Sequence, residues 1–153
     1  MRPSKMRALA IVTASALLII DRLTKGYFLA HLIQQVQLIP NVLWLQYHLN
    51  DQMALSLPLF PLFYYTLVAG VIIALGIKLV SLWKEGKSWL LLVIAVILAG
   101  AISNLLDRML YGGVVDFITV SLGSVFNIAD IMIVGGVVSW VIILSYGDRP
   151  KTV

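Results

Sequence analysis

Two carboxylates, Asp116 and Asp130, stand in the otherwise apolar stretch 112–130, G-G-V-V-D-F-I-T-V-S-L-G-S-V-F-N-I-A-D. An ionised carboxylate in such surroundings is costly unless a partner or a raised pKa offsets its lost hydration. Two placed to meet can share one proton. One then serves as general base on a water while the other, still protonated, hydrogen-bonds a carbonyl oxygen. That chemistry needs no metal, thiol or cofactor. From spacing alone a plainer reading stands beside it, in which Asp116 caps a turn and Asp130 pairs with a basic residue such as Arg108.

The elements that must position such a pair belong to a bilayer. The chain has 153 residues, of which 61% are hydrophobic and 12% charged, and its mean hydropathy of +0.99 is far above that of a soluble domain. The absence of cysteine excludes a disulfide framework, a zinc-thiolate site and a cysteine nucleophile. A formal net charge of +4 would suit nucleic acid only if it formed a patch. The basic residues are instead scattered between apolar spans, where they act as topology signals.

Arg2, Lys5 and Arg7 precede an apolar run at 8–20, a pattern similar to the start of a secretory signal peptide. No A-x-A site follows and apolar sequence resumes at 27–30, so a retained first span at about 6–30 is expected. Near its far end Asp21 and Lys25 lie four apart on one helical face. From Gln35 the period changes to two, and residues 36–39 and 42–49 read as a small outer hairpin turned by Pro40 and Asn41. A short loop, 50–56, is expected to act as a flap. Spans at about 57–82, 88–106 and 126–146 follow, with Gly100, Asn104, Asp107 and Arg108 on one stripe of the third. Residues 114–120 read as a strand or extended loop carrying Asp116. The expected fold is therefore one integral membrane domain over 1–153, an all-α protein of four transmembrane helices with a small extracytoplasmic β element.

Charge then orients it. Eight of the eleven basic residues (Arg2, Lys5, Arg7, Lys78, Lys84, Lys87, Arg149 and Lys151) fall on the side of both termini, which should be cytoplasmic. Arg22, Lys25 and Arg108 fall on the other side with Asp21, Asp51, Asp107, Asp116 and Asp130, five of the seven acids. Polar residues gathered at the outer leaflet point to a site there. There is no metal-ligand spacing such as H-E-x-x-H, and His31 and His48 belong to an outer segment away from the helical carboxylates. No G-x-S-x-G occurs. A pair such as Ser56 with Lys25 would need a neutral lysine, which Asp21 disfavours. A proton or cation pathway remains the competitor to hydrolysis by the aspartates.

Five motifs in order resemble the bacterial lipoprotein signal peptidase (signal peptidase II) family. They are D-x-x-T/S-K at Asp21, Thr24 and Lys25; an outer-loop N-x-G-A-A-F-S at Asn50, Ala54 and Ser56; G-A-x-G-N-x-x-D-R at Gly100, Ala101, Asn104, Asp107 and Arg108; V-V-D-F at Val114 to Phe117; and F-N-x-A-D at Phe126, Asn127, Ala129 and Asp130. The sequence departs from the pattern at Gln52, Met53, Leu55 and Ser103. The resemblance implies an aspartic endopeptidase of the bacterial inner membrane, and a monomer is expected. Its implied partners are membrane lipid and diacylglyceryl prolipoproteins, whose signal peptides it cuts off just before the lipidated cysteine, without cofactor, metal or nucleic acid. It implies Asp116 and Asp130 as catalytic, Asn50, Arg108 and Asn127 as holding substrate or the pair, and Asp21, Lys25, Asn104 and Asp107 as their support. The alternatives are a weakly active homologue that binds lipidated peptides, and a small proton or ion carrier.

The charge asymmetry yields a direct test. Cysteine labelling or reporter fusions should place the 83–87 loop inside the cell, and an outside location would put the carboxylates on the wrong face.

Overall fold

A computed structural model describes residues 2–51, 61–85, 89–121 and 123–147. The chain runs α1 (Pro3–His31), β1 (Val36–Ile39), β2 (Leu43–Asn50), α2 (Pro61–Glu85), α3 (Trp89–Tyr111), β3 (Val114–Val120), β4 (Val125–Phe126) and α4 (Ile128–Gly147). Phe63–Glu85, Trp89–Tyr111 and Ile128–Ser145 are each long and apolar enough to cross a membrane. At about 1.5 Å per residue, even the shortest approaches the ~30 Å hydrocarbon thickness. α1 is longer still but carries Asp21, Arg22 and Lys25. Large apolar side chains face outward along the helices, with Ile73 62% and Val134 63% exposed. An aqueous protein seldom presents such a surface continuously, whereas hydrocarbon solvates it.

The helix ends refine the expected spans. α3 continues past 106 to Tyr111, so Asp107 and Arg108 are helical. α4 starts at Ile128 rather than 126, because Phe126 pairs in β4. The outer-loop motif beyond Asp51 and the start of the second span at Leu57 and Pro58 lie outside the described residues. α3 stops where Gly112 adopts φ +75° and its N–H reaches the Arg108 carbonyl at 3.1 Å. Glycine takes that left-handed conformation without steric penalty. Gly113 then lets the chain pass Asn50, since a Cβ there would lie 2.9 Å from the Asn50 carbonyl oxygen.

The β element is larger than the expected hairpin. Four antiparallel strands in the order β1-β2-β3-β4 form one sheet, with β3 docked on β2. Leu45 pairs with Ile118 and His48 with Asp116, so one extra residue is inserted in β2 between those pairs. Such a bulge moves every later side chain of the strand to the other face. Asn50, opposite Val114, thereby shares a face with Asp116. Without the bulge Asn50 would point away.

Below the sheet, α3 is the central helix. Its contact with α4 depends on two glycines. A Cβ at Gly100 would stand 2.7 Å from the Ala129 carbonyl oxygen, and one at Gly136 would stand 2.3 Å from Ile97 Cγ1. At the opposite end from the sheet, Met6, Ala10, Leu75, Leu82, Leu91 and Ile94 form a buried apolar cluster that locks α1, α2 and α3 together.

Gly136→Ala should therefore lower the thermal stability of purified protein by about 1–3 kcal/mol through overpacking. Ile97→Ala removes the γ carbon that such a Cβ would meet, so the double variant should be more stable than the sum of the two single losses, and simple additivity would show that the 97–136 contact is not tight.

Candidate active site

Asp116 sits mid-strand in β3 and is 1% exposed. Asn127 Nδ2 donates to its Oδ1 at 2.6 Å and Asn50 Nδ2 donates to its Oδ2 at 3.0 Å. Burial is the largest influence on its carboxyl and raises its pKa from 3.8 to about 6. The Asn50 bond opposes this, the nearby Asp130 charge adds to it, and Asn127 and Lys25 oppose it more weakly.

Asp130 reaches the same place from the first turn of α4. Its backbone N–H donates to Asn127 Oδ1 at 2.9 Å, and its own Oδ2 accepts from the Asn127 backbone N–H at 3.2 Å. This reciprocal pair is a capping box, with asparagine and aspartate in the two roles. It satisfies two helix N–H groups and fixes the direction of the Asp130 carboxylate. Asp130 Oδ1 accepts from Asn104 Nδ2 at 2.8 Å. Asn127 Nδ2 also points at Asn104 Oδ1, 3.3 Å away. Two asparagine amides thus connect Asp116 to Asp130. The turn-capping role considered for Asp116 from sequence belongs instead to Asp130.

Behind the pair lies a buried ionic cluster. Lys25 Nζ, 1% exposed, is 3.0 Å from Asp21 Oδ2, 2.8 Å from Asp107 Oδ2 and 2.8 Å from Asn104 Oδ1. The contact with Asn104 turns that amide so that its nitrogen faces Asp130. Arg22 forms an ion pair with Asp107. Asp21 Oδ1 accepts the Ala129 backbone N–H at 2.9 Å, and Asp107 Oδ2 accepts the Val115 backbone N–H at 3.2 Å. Each supporting aspartate therefore holds the residue immediately before one member of the pair.

Eight of the nine candidates named from sequence are linked by these contacts, and the ninth is Arg108. Its guanidinium lies 5.0 Å from the ring centre of Tyr64 on α2, a cation–π arrangement. Thr24 does not join the cluster, since its hydroxyl donates to the Ile20 carbonyl of its own helix at 2.7 Å. His48 pairs by its backbone directly opposite Asp116 on the neighbouring strand, and its side chain is exposed. Sequence reasoning missed Arg22 and Ser103 as partners. Arg22 adjoins Asp21 and was the available signal for one of them. Ser103 Oγ donates to Asp21 Oδ2 at 2.6 Å, a contact with no local signature.

An apolar groove of about 500 Å³ between α2, α3 and α4 opens beside Asn104, lined among others by Tyr64, Val68, Ala101, Ile133 and Trp140. A second apolar recess borders Asp130 together with Phe126, Ile131 and Val134. The polar residues are thus flanked by surfaces suited to a lipid-like or helical apolar ligand.

The chain is similar to known proteins over most of its length. The family model described as signal peptidase (SPase) II matches residues 13–146. A lipoprotein signal peptidase of Pseudomonas aeruginosa (strain UCBPP-PA14) is 34% identical over 108 residues, covering 67% of this chain and 64% of that relative's length. One of Listeria welshimeri serovar 6b is 30% identical over 105 residues, covering 67% and 68%. A solved bacterial membrane enzyme, determined by the in meso method at 2.3 Å resolution, superposes with a TM-score of 0.77 at 27% identity, covering 94% of this chain and 93% of that one.

Lys25→Met should cost about 3–5 kcal/mol in stability, because it leaves buried Asp21 and Asp107 short of a counter-charge. Denaturation in detergent would measure this, and a loss below ~1 kcal/mol would mean that the cluster is not an essential support.

Proposed function

Because this chain belongs to the signal peptidase II family, we propose that it is an aspartic endopeptidase that removes signal peptides from diacylglyceryl-modified prolipoproteins, cutting before the lipidated cysteine. The observation that carries the reading is the amide bridge from Asp116 through Asn127 and Asn104 to Asp130. It brings carboxylates from a strand and a helix to one point beside two apolar recesses. Four spans with both termini cytoplasmic set that point at the outer leaflet, where a signal peptide and its lipid can enter laterally. α1 then crosses the bilayer with Asp21, Arg22 and Lys25 neutralised against α3. The protein acts as a monomer, without metal or cofactor.

In this mechanism buried Asp116 carries the shared proton and Asp130 is the base. Asp130 takes a proton from a water as the water oxygen attacks the scissile carbonyl carbon. The Asp116 O–H is donated to the developing oxyanion, giving a neutral tetrahedral diol. Asp130 then returns its proton to the leaving nitrogen as the C–N bond breaks. Asp116 recovers its proton from the diol hydroxyl, so the pair ends as it began. Asn127 and Asn50 orient Asp116, Asn104 orients Asp130, and Arg108 together with Asn50 and Asn127 holds substrate polar groups. The remaining residues, Asp21, Lys25 and Asp107, act through the backbone and Asn104.

Incubation with a diacylglyceryl prolipoprotein should release mature product in the parent protein. Asp116→Asn and Asp130→Asn should each abolish it with helix content intact, and the double variant should be no worse. Near-parent cleavage by both single variants would refute the aspartic mechanism. Altered ion flux without any processed peptide in the parent would instead favour a carrier.

The pH dependence follows from Asp116. Its folded pKa, about 6, exceeds the ordinary 3.8, so the folded state holds this proton more tightly than the unfolded chain. Its contribution to stability is full below about 3.8 and is lost as pH rises through about 6. The same ionisation removes the shared proton, so kcat/KM should fall as pH rises past about 6. An apolar substrate that excludes water raises the value further in the complex, so the alkaline limb of kcat should lie higher than that of kcat/KM. Asp116→Asn should remove the corresponding slope from a stability–pH curve. An unchanged slope would assign it to another group.

A further inference from the structure

We propose that Ser103 is a positioning residue for the carboxylate pair, acting through Asp21 on the start of α4; this rests on the catalytic reading of Asp116 and Asp130. Ser103 is fully buried on α3. Its Oγ donates to Asp21 Oδ2 at 2.6 Å, and the other oxygen of that carboxylate accepts the Ala129 backbone N–H at 2.9 Å. Ala129 precedes Asp130 in the first turn of α4. A change in where Asp21 rests therefore displaces the backbone that carries Asp130. Arg22 NH1 lies 3.3 Å from the Ser103 carbonyl oxygen and 3.4 Å from its Oγ, so the hydroxyl also sits between the α1 cation and the α1 carboxylate. The next residue, Asn104, holds Asp130 directly. Consecutive positions of α3 thus fix the Asp130 side chain and the backbone beneath it.

The site makes an unusual order of substitutions. Ser103→Gly removes a volume close to the roughly 30 Å³ share of one liquid water. The vacated space is bounded by an acceptor, Asp21, and a donor, Arg22, which meet the two polar partners that a water needs at least. A water there restores the donor to Asp21. Ser103→Ala keeps the Cβ, leaves too little room for water, and removes the donor outright. Activity should therefore follow Ser, then Gly, then Ala. Intrinsic helix preference runs the other way, because glycine in a helix interior is less stable than alanine.

The test measures cleavage of a diacylglyceryl prolipoprotein peptide and thermal unfolding for full-length Ser103→Gly and Ser103→Ala. The expected result is kcat about tenfold lower for Ala, within the ~100-fold that a 1 Å misplacement costs, and lowered less for Gly, with KM unchanged in both. Melting temperature should rank Ala at or above Gly. Equal or higher kcat for Ala than for Gly, or parent kcat in both, overturns the proposal. Ser103→Cys, which nearly keeps the volume but donates weakly, covers failure of either variant to fold. It should lower kcat at a near-parent melting temperature, and parent kcat in it overturns the proposal. Loss of the catalytic reading itself would appear separately, as activity retained in Asp116→Asn and Asp130→Asn.

Discussion

The structure depends on one buried ammonium. Lys25, almost inaccessible within an apolar bundle, sits within 3.0 Å of both Asp21 and Asp107. An unpaired lysine at such a site would be untenable, and so would either aspartate alone. The three charges oblige α1 and α3 to meet at this level. Hydrocarbon gives apolar helix surfaces little reason to prefer each other over lipid, so association must come from polar contacts and from close packing at small residues. Lys25 supplies the first between α1 and α3, and Gly100 and Gly136 supply the second between α3 and α4. From this junction the order propagates outward. Asp21 holds the N–H of Ala129, and Asp107 holds that of Val115.

The carboxylates arrive by different routes, and each uses a contact that also builds the fold. For Asp130 the route is the capping box with Asn127, so the hydrogen bonds that start α4 are the ones that aim the carboxylate. For Asp116 it is the sheet. β3 reaches Asp116 directly after the glycine pair that ends α3, and β2 lies alongside it with a bulge. The bulge brings Asn50 to the Asp116 face and so supplies one of its two amide donors.

Contacts within one helix were readable from sequence, while contacts set by register were not. The spacing of Asp21 and Lys25 is a helical ion pair whatever surrounds it, and the stripe of Gly100, Asn104 and Asp107 follows from 3.6 residues per turn. The hairpin of β1 and β2 was equally local. The pairing of β2 with β3 joins segments 66 residues apart at Asn50 and Asp116, and no local pattern records it. The inserted residue in β2 is hidden too, because the alternation through Leu43, Leu45, Tyr47 and Leu49 looks unbroken in the sequence. α4 starts later than apolarity alone predicts, because Phe126 is apolar and fits a span as well as a strand. Ser103 was visible only as a departure from a motif, and its use depends on a helix 82 positions away.

The chemical character of the contacts separates support from chemistry. Asp21 and Asp107 are paired with cations, Lys25 and Arg22. The hydrogen bonds described for Asp116 and Asp130 come from asparagine side chains and one backbone N–H. A direct lysine or arginine pair would hold a carboxylate in its ionised form, which suits a strut but would obstruct the proton exchange proposed for Asp116 and Asp130. An amide donor orients the carboxyl while depending far less on its charge. Lys25 accordingly reaches Asp116 only as the weakest of the influences on its proton. Asn104 makes the conversion, accepting from Lys25 on one side and donating to Asp130 on the other. The rigidity of an ionic core is thereby passed to the carboxylate pair without its charge.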